Sequence, residues 1–324
     1  MMINDDIYFY DFDFNLLHIL PQHGAVVGYS SINATIELNN SGSVELVFYD
    51  DDLKSIIQNN PDNIIVIWRD FQGFLTSYKF IEKENRLFGM NLNGLLHRAV
   101  IPPLSEKTDT AENIARTAMS SIDWLTLGEK NGNTSSVTYE TSKYLTADKF
   151  IQDLFTLDNS GYRIRADIPN KEFVFEVIPN TENRLVISEN NLNAYEFETS
   201  YNNKELAFGG WYNEKQPDDA DGNAVDSIWK YVAVDNTKNG IYKIDTVLSA
   251  ETKTEAINEL KKLKSKYEIT TKTRNIEHNI DYVLGDVVRV QKDSMTTKKL
   301  VSGINMWKEV SYNEEPILKE FEEG

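Results

Sequence analysis

The feature that most limits how this chain can fold is a period of two. From Tyr8 to Phe14, the aromatics Tyr10, Phe12 and Phe14 alternate with Asp11 and Asp13. Side chains alternate across a strand, so this pattern predicts one aromatic face and one acidic face. Residues 34–38 repeat it, with Ala34, Ile36 and Leu38 set against Thr35 and Glu37. Val44, Leu46 and Phe48 follow on one face, and the intervening Asn39-Asn40-Ser41-Gly42 carries turn chemistry, so 33–49 predicts a hairpin. Ile64–Trp68 is a continuous β-branched run, the pattern of a strand buried on both faces. Strands at 73–81 and 87–92 complete a meander, with one short helix at 52–58. Short strands at this density predict a small antiparallel barrel or sandwich.

The pattern changes at Ile101-Pro102-Pro103, a domain edge. Thr110 is placed to cap a helix carrying Ala111, Ile114, Ala115, Ala118 and Met119. Residues 128–136 read as a polar loop. Thr146 is placed to cap a second helix with Phe150, Ile151, Leu154 and Phe155, and strands follow at 161–167 and 172–178. Strands resume at 184–187, 194–199 and 205–212, then a polar loop at 213–223, then strands at 228–234 and 241–247. Residues 249–268 predict a helix with Ala256, Ile257, Leu260, Leu263 and Tyr267 on one stripe. Strands near 269–276, 282–291, 298–307 and 317–321 finish the chain. The division expected is 1–100 as a first β module, 101–183 as an α+β insertion and 184–324 as a second β module, with 184–212 open to a return to the first.

Charge and composition narrow the function. Fifty-one acids against 33 bases leave a net charge of −18, which disfavours binding of phosphate backbones or anionic lipid. Cysteine is absent, so disulfides, thiolate nucleophiles and Cys-based zinc sites are excluded. The N-terminal residues lack a basic segment followed by an apolar one, and no run of 18 uncharged apolar residues occurs, so neither a secretory signal nor a membrane-spanning helix is expected.

Candidate chemistry is sparse. The four histidines, His18, His23, His97 and His278, fit no metal-binding spacing. No phosphate loop and no nucleophile elbow is present. Asp11 and Asp13 would share a strand face, a spacing that could hold a metal, but an acidic solvent or lumen face behind the aromatics is the reading preferred. Asp218, Asp219 and Asp221 before Gly222 look like the opening of a calcium loop, but the twelve-residue register puts Pro217 and Ile228 at ligand positions. Trp68, Trp211, Trp229 and Trp307 fall within or beside predicted strands, where burial is expected. The lysines of 261–266 form a basic helix face. Neither a cofactor nor a metal is expected, nor a catalytic residue.

Five segments, in order, resemble one family: YDFDFNLLHIL, GMNLNGLLHRAVIPP, TADKFIQDLF with SGYRIRADIPNKEFVFEVIPN, LNAYEFETSYNNKELAFGGWYN, and DYVLGDVVRVQ. The order resembles the siphophage tail-hub family, related to the baseplate hubs of contractile phages, R-type bacteriocins and type VI secretion systems. The resemblance implies a mainly β fold with an α+β insertion. It implies two small β-barrel modules per subunit and a trimeric ring of pseudo-sixfold symmetry. It also implies a structural role joining a hexameric tail tube, or its initiator, to a trimeric spike or fibre among other baseplate proteins. The implied location is the virion tail or a phage-tail-like particle assembled in the bacterial host cytoplasm, without specific nucleic-acid binding or stable membrane insertion. Gly285, Asp286 and Val288 are the motif residues expected to serve structure, with Gly285 turning the chain into a strand. Longer family members carry a further peptidase or fibre-like domain. This chain stops at PILKEFEEG, so wall-cutting or host-binding activity is expected on a separate polypeptide. A wall hydrolase and a carbohydrate-binding β module of the tail tip are the alternatives.

Overall fold

A computed structural model describes residues 5–21, 28–60, 63–81, 84–201, 207–216, 225–233, 244–263, 267–293 and 295–321. It divides into two compact units: Met1–Tyr195 with Lys272–Gly324, and Glu196–Thr271. The expected borders at 100 and 183 both fall inside the first unit. Strands dominate, helices are few, and no helix among the described residues is long and apolar enough to cross a membrane.

The first unit begins with β1 (Ile7–Tyr10), β2 (Leu16–Leu20), β3 (Tyr29–Glu37) and β4 (Ser43–Phe48). Then come α1 (Asp51–Asn59), β5 (Ile65–Trp68), β6 (Phe71–Ile81) and β7 (Glu84–Asn91). The expected hairpin forms, with Ala34 opposite Val44. Asn39 turns it at φ 59°, and the Asn39 amide donates to the Ser160 carbonyl at 2.8 Å. Asp50 caps α1 through the Leu53 amide at 2.7 Å, which leaves Leu53 and Ile57, one turn apart, to enter the core. β5 lies between β1 and β6 and is mostly buried, as a continuous apolar run requires.

The alternation at 8–14 does not stay in one strand. β1 ends at Tyr10, and Asp11 accepts from both the backbone and side-chain amides of Asn15, closing a turn in which Phe14 takes φ 62°. Local hydrogen bonding by Asp beats continued pairing. The aromatics still pack: Phe12 and Phe14 both meet the Phe173 ring.

The insertion follows a 3-10 turn at Leu92–Arg98. It holds β8 (Val100–Ile101), β9 (Leu104–Thr110), α2 (Ala111–Met119), β10 (Leu125–Leu127), β11 (Ser136–Thr141) and β12 (Leu145–Thr146). It ends with α3 (Ala147–Phe155), β13 (Gly161–Asp167) and β14 (Glu172–Ile178). Thr110 caps α2 by accepting from the Asn113 amide; Thr146 occupies the cap position of α3 but makes no such bond. Ile114, Ala115 and Met119 of α2 and Phe150, Ile151, Leu154 and Phe155 of α3 bury one stripe each against Ile164, Phe173 and Phe175. Each full burial of such a side chain contributes about 1.5–3 kcal/mol.

β15 (Thr181–Ser188) and β16 (Ala194–Tyr201) lead out of the first unit. The second unit contains β17 (Ala207–Glu214), β18 (Ile228–Ala233), β19 (Ile244–Val247) and α4 (Lys253–Leu263); β20 (Tyr267–Thr273) then pairs with β16. The chain ends with β21 (Asp286–Lys292), β22 (Met295–Lys308) and β23 (Tyr312–Glu320).

These last strands differ from the expected separate module. β22 pairs with β3, Gly303 opposite Glu37, and so joins the meander of the first hundred residues. The sheet path runs β15-β21-β22-β3-β4-β7-β6-β5-β1-β2, with β23 on β22, eleven strands in all. No pairing closes it into a barrel among the described residues. The partners stand about as far apart in sequence as the chain allows, so no local pattern marks them.

Candidate functional site

The motif residues sit where the insertion rejoins the sheet. Gly285 has φ 88°, and a Cβ there would lie 2.8 Å from both the Pro179 carbonyl oxygen and the Ile178 side chain. Its amide donates to the Val301 carbonyl at 3.0 Å, and its own carbonyl accepts from the Thr181 amide at 3.1 Å. Both the left-handed backbone and the close approach demand glycine. The buried Asp286 carboxylate accepts from the Asn183 side chain at 2.6 Å and from the Val283 amide at 2.9 Å. Val287, Val288 and Val290 are buried on both faces of β21, between parallel β15 and antiparallel β22. The motif thus welds the exit of the insertion into the sheet.

A second weld is ionic. Asp5 is held by Arg69 and by Lys308, whose ammonium lies 2.7 Å away, and the Arg69 guanidinium lies 3.3 Å from the Tyr312 ring centre. Burial pulls the Asp5 carboxyl upward, but hydrogen bonds and charge from Arg69 and Lys308 outweigh it and hold it below the usual range. This group ties residue 5 to β22 and β23. Nearby, a pocket of about 240 Å³ is lined by Arg69, Asp70, Asn93, Arg163 and Arg165. Buried Asn93 bridges across: its side chain donates to the Glu37 carbonyl and accepts from the Ile164 amide at 2.8 Å. The Asp70 carboxyl is held low by His278, 3.4 Å distant.

The described histidine rings stay apart, each beside a carboxylate: His18 by Asp50, His97 by Asp148 and His278 by Asp70. His23 and the acidic run at 218–221 lie outside the described residues. So do 264–266 of the lysine segment. Asp11 and Asp13 sit in the turn rather than on a strand face. Among the described residues no three metal-ligating groups gather.

The tryptophans divide. Trp68 is fully buried and meets the Tyr312 ring edge-on. Trp211 and Trp229, expected to be buried, are 46% and 55% exposed. The pleat explains this. Gly210, Tyr212, Val232 and Leu248 turn toward α4, where Ala256 and Leu260 complete a small core. Trp211, Tyr231, Trp229 and Val247 occupy the other face, with Trp211 opposite Tyr231 and Val247. Period two announces two faces but not which of them is covered.

No family model matches the chain, and no curated protein matches it in sequence. Solved structures do match, nearly end to end. A tail protein from Neisseria meningitidis MC58 is 12% identical with a TM-score of 0.58, covering 97% of this chain and 96% of that one. The prophage MuSo2 43 kDa tail protein from Shewanella oneidensis is 11% identical at TM-score 0.57, covering 97% and 98%. Prophage tail protein gp18 from Listeria monocytogenes EGD-e is 14% identical at TM-score 0.54, covering 97% and 94%. The chain has the fold of phage tail proteins.

Proposed function

We propose that the chain is a structural hub of a phage tail or of a phage-tail-like particle such as an R-type bacteriocin. In this reading it adapts a hexameric tail tube to a trimeric spike or fibre. One observation carries it: the fold is shared with three tail proteins over almost the full length of each partner. Fold alone does not assign function, so the reading also draws on the architecture. The two ends of the chain are joined in one sheet by the pairing of β22 with β3 and by the Asp5–Lys308 pair, and Gly285, Asp286 and Val288 join the exit of the insertion to the same sheet. A continuous sheet that ties both ends together suits an adaptor that transmits force. Among the described residues β2 and β15, at the two ends of the sheet path, each have a single neighbour, which leaves edges for adjoining subunits.

Three copies would form a ring of pseudo-sixfold symmetry, built on the sheet that the first hundred residues share with the last strands, with 101–183 decorating the outside. Its neighbours would be the tube protein or tube initiator, the spike or fibre, and other baseplate proteins, assembled in the host cytoplasm. The role is structural, with no catalysis and no cofactor. A net charge of −18 fits a lumen to which passing DNA does not adhere.

Electron microscopy with mass measurement tests this directly. A three-subunit ring with a central opening, alone or on addition of its tube and spike neighbours, is expected. A protein that stays monomeric with those neighbours present overturns the reading.

A further inference from the structure

We propose that the open face of the β17–β18–β19 sheet is a saccharide-binding platform that stacks a neutral glycan on Trp211, Trp229 and Tyr231. The platform is built and not incidental. Tyr231 does not point straight out from β18. Its ring lies across β17 at Gly209, where a Cβ would fall 1.8 Å from the Tyr231 hydroxyl and 2.4 Å from Cζ. The hydroxyl reaches Asp245 on β19, donating to its carboxylate at 2.7 Å. The ring therefore spans the middle strand, pinned at its far end, and presents an aromatic surface outward. A glycine is needed at 209 for that approach. Trp211 stands against it, ring centres 5.3 Å apart and planes inclined at 59°. Trp229 follows two residues before Tyr231 on the same face of β18, about 7 Å along the strand.

Polar groups are interleaved with the rings. Asp245 lies among them, and Asn213 sits opposite Trp229 with its Oδ1 buried and without a hydrogen-bond partner. Asn213 also lines a pocket of about 340 Å³ with Lys215, Ser227, Leu248, Ser249, Ala250 and Glu251, so polar and apolar groups meet where the sheet ends. Rings that present open faces, flanked by hydrogen-bonding groups, match the alternating C–H and hydroxyl surfaces of a sugar ring. Charge selects the ligand class. The face and the pocket beside it carry Asp245 and Glu251 against Lys215, a small negative excess within a chain of net charge −18. That combination repels nucleic acid and other polyanions but not a neutral glycan. This goes beyond the hub reading and differs from the expectation that contact with the host lies on another polypeptide.

The full-length protein is probed on an array of neutral bacterial surface and wall saccharides. It is then titrated with cellohexaose and with hexameric β-1,4-linked N-acetylglucosamine, following tryptophan fluorescence. Binding with a blue shift is expected. Trp211→Ala and Trp229→Ala should each weaken it on the order of tenfold, and Asn213→Ala by less. Trp124→Phe, in the insertion, should leave it unchanged, and melting temperatures should show that all four variants fold. Three results would overturn the proposal: no neutral saccharide bound, binding indifferent to both tryptophan variants, or a change of oligomeric state in those variants with no saccharide bound. The last would make the face an interface between copies. Ring assembly is scored in the same preparations by sedimentation, so the failure of the hub reading is seen separately.

Discussion

Two three-stranded sheets in this molecule can be laid side by side. In the insertion, β10, β14 and β13 bury one face under α2 and α3; in the second unit, β19, β17 and β18 bury one face under α4. Their outer faces differ. The insertion's carries a ladder of ion pairs: Arg163 to Glu176 at 2.5 Å, Arg165 to Glu176 at 2.9 Å and to Asp167 at 3.0 Å. The second unit's carries Trp211, Tyr231, Trp229 and Val247. The first pairs its charges with one another and is partly covered. The second leaves large apolar side chains of the unit exposed among the described residues. Experiments that cut each face in turn should keep this contrast or break it.

The largest effects belong on the helix-covered side, where the two sheets are alike. Phe150→Ala removes a fully buried ring packed on Tyr139, and Leu260→Ala opens the core under α4. Losses of about 3–5 and 2–5 kcal/mol are expected in urea unfolding. If Leu260→Ala costs almost nothing, the second unit lacks a real core and the comparison falls.

Next comes the weld through which the insertion joins the sheet. Gly285→Ala must place a side chain at φ 88° against the Pro179 carbonyl. A loss of about 2–3 kcal/mol is expected, read as an earlier urea midpoint. A neutral outcome would mean that the backbone relaxes and that the junction is not rigid.

A smaller effect separates the outer faces by pH. Burial pulls the Glu176 carboxyl upward, but Arg163 and Arg165 outweigh it and hold it below its ordinary value. Its contribution is therefore full above the unfolded-state pKa and is lost as the pH falls through the lower folded-state value. Glu176→Gln should cost about 1 kcal/mol near neutrality and progressively less under acid. The aromatic face has no such ladder to lose.

How much of this could be read from residues alone follows the range of the interactions. The strands at 161–167 and 172–178 match β13 and β14 residue for residue, because alternation and turn residues are local. Thr110 as a cap is equally local. The turn at Asp11–Asn15 escaped, because Tyr10, Phe12 and Phe14 keep the spacing of a strand while Asp11 folds back on Asn15. The union of β22 with β3 escaped because pairing between ends leaves no mark on either strand. The exposure of Trp211 and Trp229 escaped for a third reason. Composition cannot tell a core aromatic from a binding aromatic. The nearest signal was Gly209-Gly210 beside Trp211, bare backbone next to a large ring, which local spacing alone does not interpret.

The smallest effect is the most discriminating. Trp211→Ala and Trp229→Ala delete two of the largest side chains in the second unit, yet each is about half exposed and turned away from α4. Their stability change should stay within about 0.5 kcal/mol, the range of ordinary surface substitutions. Trp68→Ala, the same deletion at a fully buried site, should cost about 3–5 kcal/mol. Equal costs at the two sites would mean that the aromatic face is covered from within the chain and is a core after all. A wide gap would mean that those rings contribute little to folding, and that their place on the sheet answers to something the protein binds.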